Sequence, residues 1–293
     1  MIFKSAVMPM RLYFEARHFP ADWKKGMPMP EKVPYAVVVK NGDDMRQDQL
    51  VLQMFTLMDS LLKDVNLDFK FTLYKVLACT KKDGIMEFVA DADTIQNILN
   101  DTSFDVSVHL KKIANEQNKQ EDINNTYLLS NAGYAVATYL MAIGDRHLEN
   151  LMLTNDGHMW HLDFGFILGN NPGLKQYYPP IRMNKAMILG MGGRKSEKYE
   201  TFKSKTIDAF LYLRNYRQYI VNILVMMIDA SIPDLSRDHH DKILSQMNER
   251  FMPDLTNEKA REKFTELLDY CVDSAFMANS LELMHRAAVF IKY

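Results

Sequence analysis

The chain has 293 residues, enough to bury a large core and to form two lobes. Its 35 basic and 37 acidic residues leave a formal charge of -2, so no global field favours an anionic membrane, and nucleic acid is not an expected partner. Cys79 and Cys271 stand far apart in no metal-like spacing, which argues against a disulfide framework and for a reducing compartment.

The opening stretch "MIFKSAVMPMRLYF" is apolar, but Lys4, Pro9 and Arg11 interrupt it before a secretory h-region can form. A β-branched run from Tyr35 to Val39 predicts a strand, followed by a tight turn at Asn41-Gly42. Leu50, Met54, Leu57, Met58 and Leu61 then repeat at helical spacing, so a long helix is entered at Asp43-Asp44. Asn-Gly alone signals a hairpin, but the longer helical period outweighs it. Phe69–Cys79 and Ile85–Val89 read as strands joined by a turn at Asp83-Gly84, and a small mixed lobe ends near Ala90.

The stretch "KKIANEQNKQEDINN", Lys111 to Asn125, is polar and reads as a solvated loop or helix end. "AGYAVATYLMAIG", Ala132 to Gly144, is a 13-residue apolar run, short of the roughly 20 that span a bilayer, so it predicts a buried helix in a soluble chain. "TFKSKTIDAFLYLRNYRQYIVNILVMMID" predicts one long, substantially buried helix stopped before Pro233. Further helices are expected over Asp238–Phe251, Thr256–Leu268 and Cys271–Tyr293. The expected fold is therefore α+β: a small mixed lobe over residues 1–90 and a larger, mostly helical lobe over 91–293. The 21 methionines, spread through helical positions, suit adaptable core packing.

The chemistry concentrates in "MAIGDRHLENLMLTNDGHMWHLDFGF", Met141 to Phe166. Asp-Phe-Gly is the metal-binding tripeptide of protein kinases, yet the upstream His-Arg-Asp of those enzymes is here Asp-Arg-His. Asp145 precedes Asn150 by five residues, the separation in the kinase pattern H-R-D-x-x-x-x-N, so Asn150 is a candidate metal ligand and Asp145 occupies the acceptor side. Asp163 follows Asn150 by 13 residues, and "LMLT", "NDG" and "HMWHL" between them predict a hairpin that brings the two ligands together. A carboxylate and an amide oxygen suit Mg²⁺, which takes few protein ligands and keeps several waters. His147, displaced to a position after the aspartate, is the first candidate for general base, with Asp145 the second. His158 and His161 in the hairpin read as packed or surface histidines.

"GDRHLENLMLT" followed by "HLDFGFILG" resembles the catalytic and activation loops of the phosphatidylinositol 3-kinases, and "HLENLMLT" is most similar to their class III, vacuolar-sorting type. "FKSAVMP", "VVKNGDDMRQDQL", "YKVLA", "MEFV", "MNKAMILGMGG" and "DASIPDL" extend the resemblance over nearly the full chain. It implies a bilobal kinase-like fold, ATP with Mg²⁺ or Mn²⁺, phosphatidylinositol as acceptor at its 3-hydroxyl, a regulatory protein-kinase-like subunit, and work at endosomal or autophagic membranes. It also implies roles for single residues. Ser5 touches the phosphates, Lys40 binds them while held by Asp43 and Asp48, and Tyr74 lines the back of the site. The backbones of Glu87 and Val89 meet adenine, and Ile167 packs below the ring.

Substrate choice is implied to lie in "DFGFILGNNPGLKQYYPPIRMNKAM". Between Gly169 and Pro180 it carries a single cation, Lys175, which fits an unmodified inositol headgroup better than a bisphosphate, since each added phosphate needs its own partner. Tyr177, Tyr178, Pro179 and Pro180 are expected to stiffen that loop at the lipid surface. The last helix, "LELMHRAAVFIKY", puts Leu281, Met284, Ala288 and Ile291 on one face, either for a membrane or to cap the large lobe. The chain opens almost directly on the phosphate-binding loop and lacks the family's C2 and helical domains, so a catalytic fragment is among the expectations. The rivals are a phosphatidylinositol 4-kinase or related protein kinase, and a nucleotide-binding scaffold whose catalysis has lapsed.

Overall fold

A computed structural model describes residues 9–102, 105–171, 179–235 and 240–290. Ser5, Lys175, Tyr177 and Tyr178 lie outside the described residues, as do the side chains from residue 277 onward, the lipid-facing candidates Leu281, Met284, Ala288 and Ile291 among them. The chain packs as two units, one drawn from Met1–Gln53 and Leu73–Ala90, the other from Met54–Thr72 and Asp91–Tyr293.

In the smaller unit, β1 (Met10–Arg17), β2 (Lys32–Asn41), β3 (Val76–Ala78) and β4 (Asp83–Glu87) pair antiparallel in the order β1-β2-β4-β3. Helix α1 (Arg46–Lys63) follows β2 through the Asn41-Gly42 turn, as the periodicity requires. Strand β1 is an element the sequence pattern did not announce. Leu12, Tyr13 and Phe14 are consecutive and all exposed, so the strand has no alternation of apolar and polar residues to read. Its evidence is the partner: eight residue pairs in register with β2, from Met10↔Val39 to Arg17↔Lys32.

The strand expected from Phe69 forms only at Val76–Ala78. The apolar residues before it are used elsewhere, inside the larger unit. Phe69 is buried there, Phe71 lies 4.9 Å from the Tyr134 ring, and the Tyr134 hydroxyl donates to the Thr72 carbonyl at 2.9 Å. Gly133 permits this approach, because a Cβ there would sit 2.7 Å from Phe69 Cβ.

After the latter part of α1, the larger unit takes in β5 (Ala92–Thr94), α2 (Ile95–Asp101), α3 (Val106–Gln117) and α4 (Gln120–Leu140), then the hairpin β6 (Leu151–Thr154) and β7 (Met159–His161). It ends with α5 (Lys185–Gly190), α6 (Glu197–Arg214), α7 (Arg217–Met226), α8 (His240–Arg250) and α9 (Asn257–Phe290). Strands β5, β6 and β7 form a second antiparallel sheet in that order. Of the two readings of Lys111–Asn125, the helix end holds: it is the close of α3 and the start of α4, broken at Asn118 in the left-handed conformation (φ 54°). Most of it is exposed, and its few apolar residues, Ile113, Ala114 and Ile123, are buried beside Leu110 and Tyr127.

The single helix expected over residues 201–229 is two, α6 and α7. Arg214 closes α6 by donating to the carbonyls of Phe251, Met252 and Leu255, so its last turn is tied to a distant loop. Conversely, the two last helices are one. Neither Gly nor Pro separates Leu268 from Cys271, and Leu268, Cys271 and Val272 are all buried, so the helix runs on. No helix of the described residues is long and apolar enough to cross a membrane.

Candidate active site

In the smaller unit Lys40 closes β2 opposite Gly84 of β4. The chain then turns sharply: the N–H groups of Gly42 and Asp43 both donate to the Lys82 carbonyl, at 2.6 and 3.0 Å. That turn returns Asp43 to Lys40, and their side chains pair at 2.9 Å with the lysine only 19% exposed. Asp48 lies in the first turn of α1, where a carboxylate also complements the helix dipole. Asp44 is engaged by Arg46 at 2.6 Å, and that hydrogen-bonded pairing holds the Asp44 carboxyl below its ordinary range. Tyr74 is buried. Val89 makes no hydrogen bond through N–H or C=O with any described residue, whereas the Glu87 N–H is spent on the Lys75 carbonyl at 2.8 Å.

In the larger unit the catalytic loop leaves α4 and runs alongside the segment after Asp163. Gly144 N–H donates to Phe166, Leu168 N–H to Met141 and Gly169 N–H to Ala142, at 2.8 to 3.0 Å. The approach is so close that a Cβ on Gly144 would lie 2.2 Å from the Asn170 carbonyl oxygen, so only glycine fits. Asp145 follows with φ 51° and Asp163 with φ 57°, left-handed conformations that a non-glycine residue keeps only when its surroundings impose them.

Three side chains impose them. Arg146 donates to the carbonyls of Gly144 and Leu162, each at 2.7 Å, and to that of Asp163, stitching the catalytic loop to the Asp-Phe-Gly segment. Asn150, buried, donates its Nδ2 to the Asp145 carbonyl at 2.9 Å, which turns its Oδ1 to the other side. Asn171 Oδ1 accepts from the Asp145 N–H at 3.3 Å and from Arg182 at 2.8 Å. The hairpin completes the arrangement: Leu162 N–H donates to the Asn150 carbonyl at 2.9 Å, so Asn150 and Asp163 are brought together at the open end of the β6–β7 hairpin.

His147 Nε2 stands 3.9 Å from Asp145 Oδ2, and its Nδ1 accepts from the Glu149 N–H at 3.3 Å. A neutral imidazole accepting at Nδ1 carries its proton on Nε2, toward the carboxylate. To act as a base at either nitrogen it gives up only that one long bond.

Phe164 of the Asp-Phe-Gly segment is fully buried, edge-on to Phe55 at 5.5 Å, in the cluster that contains Phe71 and Tyr134. His161 is the packed histidine expected: it stacks on Tyr134 at 4.8 Å, and burial, then the charge of Arg146, pushes its pKa well below the usual histidine range. His158 pairs with Asp156 at 2.9 Å in the hairpin turn. Ile167 is wholly buried, its N–H held by Asp234 Oδ2 at 2.8 Å, and in this conformation its side chain presents no surface to a ligand. Pro179 and Pro180 are half-buried.

Among the described residues no three His, Cys, Asp or Glu side chains gather as a metal cluster. The Asn150 amide and Asp163 carboxylate are nonetheless a donor set that fits a hard divalent ion such as Mg²⁺, whose remaining ligands are water and phosphate oxygens. Arg146, Asn171, Arg182 and Asp234 were not singled out as site residues from sequence. Arg146 alone carried a signal, its place between Asp145 and His147; Asp234 reaches Ile167 across 67 residues, which no local pattern records.

A small sheet unit, a larger helical unit and this catalytic loop define a kinase-like fold. The model of the family described as phosphatidylinositol 3- and 4-kinase matches residues 34–237, and the chain belongs to that family. It is 37% identical over 302 residues to phosphatidylinositol 3-kinase pik3 of Schizosaccharomyces pombe, covering 99% of this chain and 35% of the relative. It is 40% identical to the nodule isoform of phosphatidylinositol 3-kinase from Glycine max (98% of this chain, 34% of the relative). With phosphatidylinositol 3-kinase VPS34 of Arabidopsis thaliana it shares 38% identity over the same proportions. These names bear out the resemblance to the vacuolar-sorting type. The chain spans about a third of the length of these relatives.

Proposed function

We propose that the chain transfers the γ-phosphate of ATP to the 3-hydroxyl of phosphatidylinositol, at the cytosolic surface of endosomal or autophagic membranes and with a regulatory protein-kinase-like subunit. The observation that carries this reading is the braced set of Asp145, His147, Asn150 and Asp163 in a chain whose relatives are phosphatidylinositol 3-kinases.

Phosphoryl transfer demands positioning and charge neutralisation more than covalent help. Lys40, oriented by Asp43, supplies a cation for the phosphates, with Ser5 in the phosphate-binding loop and Asp48 as a second support. Tyr74 and the free backbone groups of Val89 suit the base of the nucleotide. Asn150 Oδ1 and the Asp163 carboxylate hold Mg²⁺ or Mn²⁺, which when bound neutralises charge on the phosphate oxygens. His147, or Asp145 in its place, takes the proton from the inositol hydroxyl as its oxygen bonds to the γ-phosphorus and the bond to the ADP oxygen breaks. Lys175 meets the headgroup, with Tyr177, Tyr178, Pro179 and Pro180 at the lipid surface. In this reading residues 1–90 and 91–293 are the two lobes.

The test is transfer of label from ATP to vesicles containing phosphatidylinositol, its 4-phosphate or its 4,5-bisphosphate, with the position of the new phosphate resolved. The expected product is the 3-phosphate, from the unmodified lipid alone. A family that includes 4-kinases makes the 4-kinase the second reading, and label at the 4-position would establish it.

A further inference from the structure

Beyond the catalytic loop the larger unit contains a cavity of about 800 Å³. Its walls come from the end of α4 (Tyr139, Ala142), from Leu168 and Gly169, from Pro180, and from α8 and α9. The volume lies in the range of small-molecule sites, which are mostly apolar with a few placed polar groups. Tyr139, Leu168, Met247 and Leu267 supply the apolar surface here, and Arg250 supplies the polar group.

Arg250 is unusual in what it lacks. Its Nη1 donates to the Tyr139 carbonyl at 2.9 Å and its guanidinium lies 5.2 Å from the centre of the Tyr139 ring, while the Tyr139 hydroxyl donates back to the Arg250 carbonyl at 3.0 Å. Among the described residues these are its partners, and no carboxylate is one of them. The two carboxylates on the cavity, Glu249 and Glu266, are exposed at the rim, and Glu249 is bonded to Ser245. Burial lowers the Arg250 pKa, opposed by the Tyr139 phenol and by no carboxylate, which agrees with the geometry. A guanidinium partly removed from water and left without a counter-ion is costly, and an entering anion would offset the cost with a two-pronged bond. Lys263, also on the rim and also without a carboxylate partner among the described residues, adds a second positive charge.

We propose that this cavity binds a small amphiphilic anion: a single carboxylate or phosphate head on Arg250, steered by Lys263, with an apolar body against Tyr139, Leu168, Met247 and Leu267. Such a ligand touches the chain just before and just after residues 170–179, at Leu168–Gly169 and at Pro180. Binding itself does not depend on which inositol hydroxyl is phosphorylated.

Titrating the full chain with decanoate, decyl phosphate and decanol, all below micelle formation, tests the site by calorimetry and by hydrogen exchange. One or both anions are expected to bind at a single site at least about tenfold more tightly than decanol, slowing exchange at residues 168–169 and 246–250. Which anion binds identifies a fatty-acid or a lysophosphatidate type of ligand. Arg250→Met should lose at least about tenfold in anion affinity. Because Arg250 also holds the Tyr139 carbonyl, the cavity-filling Leu267→Trp, which leaves that contact alone, is the second variant and should abolish binding. Equal affinity for decanol and the anions, or undiminished anion binding by Leu267→Trp, overturns the proposal.

Discussion

The lysine turn of the smaller unit and the catalytic loop of the larger one are held in place by different means. Lys40 is oriented by a part-buried ion pair with Asp43, next to a turn whose two amides share the Lys82 carbonyl. The Asp145-to-Asp163 region is held by backbone pairing on both sides, by Arg146 bridging three carbonyls, and by Asn150 and Asn171 gripping Asp145 from below and beside. An ion pair between two side chains that keep some contact with water is partly screened by salt. Amide and guanidinium bonds to backbone groups depend less on salt, and leaving those backbone groups unpaired is costly. The lysine pair is thus the more salt-sensitive element, while the backbone that carries Asp145, His147, Asn150 and Asp163 is braced by hydrogen bonds.

If that contrast is right, its largest consequence falls on Asp163. Asp163→Asn removes the one carboxylate of the metal pair and should lower kcat by about 1,000-fold or more, with folding intact by calorimetry; a loss under tenfold would remove Asp163 from the metal. His147→Ala and Asp145→Asn come next, each expected to cut turnover by at least about 100-fold while ATP still binds. Near-normal rates in one of them would assign the base to the other. Arg146→Lys keeps the charge but cannot span three carbonyls, so a fall of roughly 10- to 100-fold in kcat, with little change in the KM for ATP, is expected. Asp43→Asn should be mildest: a KM for ATP raised by about two- to fivefold, with a difference from wild type that shrinks as salt rises. A large kcat effect there would mean that the lysine turn is as rigidly coupled as the catalytic loop.

The stack of His161 on Tyr134 beneath this loop carries a pH signature. Its folded pKa lies well below the unfolded value near 6.5, so the unfolded chain binds the proton more readily. Stability conferred by the neutral ring is present above about pH 6.5 and is lost as the pH falls toward the folded pKa, by up to about 1.4 kcal/mol per pH unit. His109, half-buried with its pKa also lowered, chiefly by burial, adds to the same trend. Urea unfolding between about pH 7.5 and about pH 5.5 should show it, and His161→Phe, which keeps the stack, should flatten it; an unchanged slope would place the titration elsewhere.

Much of the site was legible because its parts lie close together in the chain. Asp145, His147 and Asn150 occupy six consecutive positions, and the β6–β7 hairpin that carries the chain on to Asp163 has clear turn residues. Lys40, Asn41-Gly42 and Asp43 were readable for the same reason. The polar run Lys111–Asn125 was legible as a helix end, with Ile113, Ala114 and Ile123 as its buried contacts. An error arose where composition stood in for packing. A strand-like run at Phe69 became part of an aromatic cluster against α4.

The sequence by itself determined which groups are candidates for phosphoryl chemistry and their spacing along the loop, because residue type and local distance are properties of the chain. Only the tertiary structure decided what holds those groups still. Gly144 against Asn170, Asp234 on the Ile167 amide and Asn171 between Asp145 and Arg182 join positions 11 to 67 residues apart, or meet face to face across two segments. Their geometry exists only once α4 is buried and the chain has folded back on its end, so no window of sequence contains it.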